Sequence, residues 1–434
     1  MLKRFTHPLS QLWRSTFVRN VAVVATGTAG SQAITMAFSP IITRFYGPEA
    51  FGLLGTFMAI MTMVAPVVAL SYPVAIVLPR DDRDALGLAR LSIYISFGIM
   101  FLVALIFWIG GDRLLILLGA ETVKQYIFFI PLAIPFIALC DIAQQWLIRK
   151  KQFGITARVA IAQSLILNSA KTAIGWFYPA AMVLILVTMS GYLLYAGMLC
   201  LGIYLISREA LPTKHSSLLL LARKYYDFPL YRAPQNFTNA VSQSLPILML
   251  AAFFGPISAG FYTLGKMVMG MPSTLIGKSV GDVFYPRITE AAHNKENLVP
   301  LIIKATGWLA CIGCVPFGVV IIFGPWLFSI IFGAEWIIAG EYARWLALFF
   351  FFNFINKPSV VAVPVLGIQK GLLVYELFST GGKVAAMMIG FYSYKSDLVA
   401  IALFSLIGTV TYVVMILWII WKARAFVSYE KTSR

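Results

Sequence analysis

Six basic side chains, Lys171, Arg232, Lys266, Lys278, Lys357 and Lys383, fall inside stretches otherwise apolar enough to cross a bilayer. A charge fixed in such a place is costly unless it faces a wet cavity, meets a partner or holds an ionic ligand. Lys171 shares a helical face with Ser164 and Asn168 and has no acid within a turn. It is predicted roughly 20 Å into its helix from the cytoplasmic end. Lys266 lies in the outer half of its segment, and Lys357 follows Asn353 by one turn. Lys383 shares a face with Thr380 and Glu376, so an intramembrane Lys–Glu pair is one alternative to an anion site. Lys278 precedes Asp282 by four residues, which a helical ion pair with snorkelling explains. Arg232 opens its helix near the same face and either snorkels or joins the polar stripe described next.

Thr28, Gln32, Thr35 and Ser39 follow the spacing i, i+4, i+7, i+11, and Arg232, Asn236, Asn239 and Gln243 repeat it. Each set therefore occupies one face of a helix. Such faces turn away from lipid, either to hydrogen-bond a neighbouring helix or to line a cavity; their duplication favours the cavity. Asp141 and Glu376 are the candidate protonation or cation-coupling groups. The alternatives are a hydrogen bond from Gln144 or Gln145 to Asp141, and neutralisation of a lysine by Glu376.

Other constellations carry no chemistry. Cys311-x-x-Cys314 lies in an apolar helix without a nearby His or second pair, so no metal site is read there. The three histidines fall in segments predicted to be cytoplasmic, which excludes a histidine relay. Asp82-x-Asp84 imitates a metal-binding pair but sits in a short charged turn and reads as a solvated loop. Asn236-Phe-Thr238 lies within a helix and is no glycosylation site. No cofactor motif and no catalytic set emerges, so the chain does not read as an enzyme.

The elements that must position these groups are membrane helices. Of 434 residues, 60% are hydrophobic and 12% charged, with a mean hydropathy of +0.85. Apolar blocks predict spans at 20–43, 51–78, 88–109, 126–147, 159–178, 182–206, 231–254, 259–285, 301–323, 341–363, 372–391 and 397–421. Leu114 to Leu118 and Leu327 to Phe332 are predicted as short interfacial helices. The net charge of +17 does not signal nucleic acid, because the basic residues sit in short segments between the blocks. With both termini cytoplasmic, and with Arg90, Lys304 and Arg344 near span ends counted with the adjacent side, 23 of the 34 Lys and Arg fall on the inner side, five on the outer side and six deeper within spans. The segment from Val21 to Ile42 reads as a retained signal anchor, with no cleavage site near its middle.

The chain repeats itself. Phe45-Tyr46-Gly47-Pro48 with Gly52 recurs as Phe253-Phe254-Gly255-Pro256 with Gly260, and Gly119-Ala120-Glu121 as Gly333-Ala334-Glu335. Pro79-Arg80 recurs as Pro286-Arg287 and Ser31-Gln32 as Ser242-Gln243, in order and at offsets of 207 to 214 residues. The expected organisation is a six-helix half at 1–206, a cytoplasmic linker at 207–225, a second half at 226–421 and a tail at 422–434. Six helices per half give the halves one orientation, a parallel repeat such as transporters use.

Asn20, Gln32, Arg44-x-x-Gly47-Pro48-x-x-x-Gly52, the Pro79-Arg80 turn and the echo of the corner at Gly255 resemble the polysaccharide-transporter branch of the multidrug/oligosaccharidyl-lipid/polysaccharide exporter superfamily. That branch includes Wzx-type O-antigen and exopolysaccharide flippases. The resemblance implies an all-α inner-membrane protein, two six-helix bundles about a cationic central cavity, and alternating access. The implied substrate is an undecaprenyl-diphosphate-linked oligosaccharide, carried to the periplasmic face before polymerase or ligase machinery uses it. Membrane lipids are the other implied partners, and nucleic acid is not one. Fixed cations would lower the cost of taking a diphosphate through hydrocarbon. The candidate binding residues are Lys171, Lys266, Lys357, Lys383, Arg232, Arg44, Gln32, Asn236, Gln243 and Asn168. Arg44, at the outer end of the first helix, either receives the diphosphate or anchors the helix to headgroups. A multidrug antiporter on the same architecture is the alternative; it would favour acids in its cavity, whereas this chain offers mostly Lys and Arg.

Overall fold

Apolar blocks this long leave the backbone one way to satisfy its own hydrogen bonds in lipid, the helix. A computed structural model describes residues 16–206, 217–294 and 296–432, without the side chains of 276–283 and of several positions near helix ends. Its long helices are α1 (16–46), α2 (48–64), α3 (Asp82–Leu118), α4 (Phe129–Arg149), α5 (Phe153–Phe177) and α6 (Ala181–Ile206). They continue as α7 (Ala233–Phe254), α8 (Pro256–His293), α9 (Leu298–Phe332), α10 (Ile337–Ile355, resumed over Lys357–Leu366), α11 (Gln369–Tyr392) and α12 (Asp397–Thr432). No strand occurs among the described residues. Most of the linker and both chain ends lie outside the described residues.

The breaks have local causes. Between α1 and α2 the helix turns at Gly47 (φ 67°, ψ 174°), and between α7 and α8 it turns at Gly255 (φ 86°, ψ 177°). Only glycine adopts that backbone without strain, and the proline after each glycine suits the first turn of the next helix. Gly119 and Gly333, which end α3 and α9, also take positive φ, and a 3-10 turn follows each. Two of the sequence repeats are thus repeats of a positive-φ glycine, but only Gly47 and Gly255 share ψ as well, since Gly119 has ψ 31° and Gly333 ψ 161°. A third repeat is not one of conformation: Pro79 lies in a turn, whereas Pro286 is inside α8.

Three expectations need correction. The span 51–78 does not run through as one helix; α2 ends at Val64, and a 3-10 turn, left-handed Leu70 and Ser71, and a short helix Tyr72–Ala75 follow. Pro66 and Pro73 each remove a backbone donor there. Leu114 to Leu118 and Leu327 to Phe332 are not separate helices but the last turns of α3 and α9, α3 being bent at Gly110 (φ −135°, ψ 16°). Asp82 is not in a solvated loop. Its carboxylate meets Arg149 Nε at 2.9 Å and Lys150 Nζ at 2.6 Å. Arg149 also donates to the carbonyls of Ile76, Pro79 and Arg80 at 3.2, 2.5 and 3.1 Å, clamping the α2–α3 turn to the end of α4.

Contacts divide the chain into one unit of Met1–Tyr46 with Leu53–Ala252 and another of Gly47–Gly52 with Phe253–Arg434. α7 counts with the first because Ser244 Oγ donates to Ala59 O (3.1 Å) and Ala252 packs on Gly119. In the first unit a buried core of Tyr72, Ile76, Leu88, Ile142 and Trp146 joins the α2–α3 turn to α3 and α4. In the second, Ile288, Leu298, Ile302, Val363 and Ile419 join α8, α9, α10 and α12. Within the second unit the two Gly-Pro corners meet. A Cβ on Gly52 would collide with the carbonyl of Pro256, and one on Gly260 with the carbonyl of Pro48.

Candidate functional site

Eight stretches among the described residues are long and apolar enough to cross a membrane by length and composition alone. The eight do not include α5, α8 or α11. These three helices carry Lys171, Lys266, Lys278, Glu376 and Lys383. Lys357, Arg232, Asn236, Gln243, Gln32, Arg44 and Asp141, by contrast, lie on stretches within the eight.

In the first unit, the stripe on α1 faces α5. Thr35 Oγ1 lies 3.0 Å from Ser164 Oγ, Ser164 donates to Ser31 O at 2.8 Å, and Asn168 Nδ2 reaches Thr35 Oγ1 at 3.3 Å and Ser164 O at 2.7 Å. Asn168 and Ser39 are buried, so this part of the stripe is a hydrogen-bonded helix seam. Gln32, one turn before Thr35, is half-buried and engaged in an interaction of its own. One turn beyond Asn168, the Tyr46 hydroxyl donates to the carbonyl of Lys171 (2.8 Å), and the Tyr46 ring packs on the bare backbone of Gly175. That contact fixes the C-terminal end of α1 against α5 beside Lys171. The half-buried Lys171 forms no ion pair among the described residues.

The equivalent stripe, which begins at the end of the π turn Phe228–Arg232 and continues on α7, behaves differently. Arg232, Asn236, Asn239 and Gln243 are all exposed, Gln243 donates to Asn239 Oδ1 at 2.5 Å, and Arg232 stands 6.0 Å over the ring of Phe228. An amide row open along one helix face offers both hydrogen-bond donors and acceptors. Asp141 is exposed on α4, beside Cys140, whose thiol contacts Tyr192 O; Gln144 turns instead to the Tyr195 hydroxyl at 3.3 Å. Arg44 is exposed at the end of α1.

The second unit gathers a cluster that sequence spacing alone does not reveal. Asn353 of α10 donates to the Tyr412 hydroxyl of α12 at 2.5 Å, and Ser379 of α11 meets Thr411 of α12 at 3.1 Å. The Phe349 ring packs tilted against Tyr412 (5.4 Å between ring centroids) and lies under Lys383 (5.9 Å). Glu376, exposed, is an electrostatic neighbour of Lys383 without ion-pair contact. Lys357 opens the second arm of α10 after the buried Asn356, with Pro358 behind it. Lys266 is half-buried on α8 and has an interaction of its own. The Lys278–Asp282 pair falls on side chains outside those described. Tyr412, Thr411 and Tyr375 escape a reading by charge; their signal is hydroxyls on two helices at facing registers, visible only once α11 and α12 are paired. Among the described residues no group of three or more His, Cys, Asp or Glu is placed to hold a metal.

Residues 41–341 match the family described as polysaccharide biosynthesis protein. The chain belongs to that family. Its fold is the polytopic, multi-pass helical membrane fold seen in solved MOP-superfamily transporters. The succinoglycan biosynthesis transport protein ExoT of Rhizobium meliloti (strain 1021) is 22% identical over 378 residues, 83% of this chain and 71% of that protein. Lipid II flippase MurJ in an inward closed conformation has a TM-score of 0.70 at 13% identity, covering 92% of this chain and 87% of that one. A MOP superfamily transporter from Pyrococcus furiosus gives 0.64 at 14% identity, over 94% and 95%. An outward-facing multidrug resistance MATE family transporter gives 0.65 at 13%, over 98% and 99%. The family member is thus similar in fold to proteins whose names give quite different cargoes.

Proposed function

We propose that this protein flips an undecaprenyl-diphosphate-linked oligosaccharide from the cytoplasmic to the periplasmic face of the inner membrane, by alternating access of the halves 1–206 and 226–421. The observation that carries the reading is a set of lysines placed in membrane helices without acidic partners. Lys171 and Lys357 form no ion pair among the described residues, and Lys383 has only the non-contacting Glu376 beside it. Isolated ammonium groups at that depth are unfavourable, and an anionic ligand is what repays them. A diphosphate carries two or more negative charges, and several lysines spread over different helices can follow it as it moves. The exposed amides of α7 supply hydrogen bonds to sugar hydroxyls, while the prenyl tail stays in lipid. The glycan role of the family and the succinoglycan role named for its relative support a saccharide cargo, with the polymerase or ligase machinery receiving it outside. A cation-exporting antiporter would need the opposite polarity.

The test is genetic and chemical. Deleting the gene should abolish the surface or secreted glycan while lipid-linked repeat units accumulate in the cell. Complementation by Lys171→Ala, Lys357→Ala or Lys383→Ala should fall at least tenfold with membrane abundance unchanged. Unchanged glycan in the deletion strain would overturn the reading, and drug sensitivity in its place would turn it toward the antiporter.

A further inference from the structure

The outer end of α3 does not close on the segment that follows it. At Gly110 the helix departs from helical geometry, and α3 then runs on to Leu118 before the chain turns at Gly119 into the 3-10 segment Glu121–Tyr126. Between these pieces lies a cavity of about 920 Å³, entirely within the first unit. Two kinds of wall line it. One is apolar and turned outward: Trp108, Ile109 and Phe128 are 82%, 79% and 66% exposed. The other carries four charges, Asp112, Arg113, Glu121 and Lys124.

Those four charges are not equivalent. Asp112 and Lys124 pair across the cavity at 2.8 Å, tying α3 to the 3-10 segment. Arg113 and Glu121 form no ion pair among the described residues. What remains after internal pairing is one cation and one anion beside an apolar wall. An anionic carrier lipid would meet Glu121 as well as Arg113, so it is disfavoured. A zwitterion satisfies both, the guanidinium taking a phosphate in bidentate fashion and the carboxylate taking an ammonium. Exposed aromatics at the level of charged residues mark the headgroup zone of a bilayer, where acyl chains would lie along Trp108 and Phe128.

We infer that this cavity is a binding site for a zwitterionic phospholipid of the phosphate–ammonium class, held by Arg113 and Glu121. The site is separate from the lysines proposed for transport, so either reading can fail without the other. Gly110 is the natural point of attack, because a Cβ there meets nothing within 4 Å and its φ is open to any residue. Gly110→Phe should fill the cavity without disturbing the fold.

The experiment is native mass spectrometry of the purified, delipidated full chain titrated with phosphatidylethanolamine or with phosphatidylglycerol. The wild type should retain the zwitterionic lipid about tenfold better than the anionic one, a difference of about 1.4 kcal/mol. Arg113→Ala should lower retention of both lipids. Glu121→Ala should abolish the preference by weakening the first and strengthening the second. Gly110→Phe should remove the specific adduct, with thermal unfolding unchanged as the control for folding. Equal retention of the two lipids by the wild type would overturn the inference. So would wild-type discrimination in both charge variants, whose exposed positions make a folding failure no refuge. Retention of a soluble oligosaccharide in preference to either lipid would overturn it too and assign the cavity to glycan.

Discussion

Asp82 receives hydrogen bonds from Lys150 and Arg149, and that from Lys150 does most to hold its carboxyl below the usual aspartate value; partial burial opposes the shift. A depressed folded-state value means the group adds stability above the unfolded aspartate value of about 3.9. That stability is lost as the pH falls through the lower folded value. The carboxylate is about two-fifths exposed and so screened, which limits the contribution to about 1 kcal/mol or less. Asp82→Asn should therefore lower the unfolding temperature in detergent slightly at pH 7 and by less at pH 3; equal losses at both would remove the charge from the explanation. Asp82 also shows where a reading by residue type stops. A charged turn next to a span looks solvated from sequence, since its partners on α4 are some sixty-seven residues away. Lys171, by contrast, is legible because an ammonium in an apolar run is anomalous whatever packs beside it. Thr35 and Asn168 fall between these cases: the spacing that marks a wet face also marks a helix seam, and only the distance to Ser164 separates the two.

At the scale of elements, the repeat is the most informative thing the sequence carries. It locates the corners at Gly47 and Gly255, where the two backbones share one unusual conformation. It does not announce that the corners touch, because a glycine five residues into a helix has no motif of its own. The contact is reciprocal, each of Gly52 and Gly260 lying under the carbonyl of the other corner's proline, so no side chain fits between them. Gly52→Ala and Gly260→Ala should each cost about 2–3 kcal/mol by overpacking. Because one separation of the helices relieves both clashes, the double variant should cost less than the sum of the singles. Thermal unfolding of the three variants checks this, and strict additivity would mean that the two glycines act independently. The helix breaks at Val64 and Gly110 were beyond hydropathy for a related reason: apolar residues continue straight through both.

For the whole molecule, orientation decides the direction of transport. The charge bias predicts both termini inside, so the turns at 119–126, 333–336 and 393–396 would face the periplasm and the Asp82 clamp the cytoplasm. The six cations within spans do not weaken that bias, since topology follows Lys and Arg in short loops rather than net charge. A green fluorescent protein fused after Arg434 should fluoresce, and alkaline phosphatase fused after Lys395 should be active, because each reporter matures on one side alone. The reverse pattern would invert the protein, placing Arg44 and the lipid cavity at the cytoplasmic leaflet and the Asp82 clamp outside. Arg44 could then meet only the entering substrate, and a flippase running outward would need its receiving cations near the opposite membrane face.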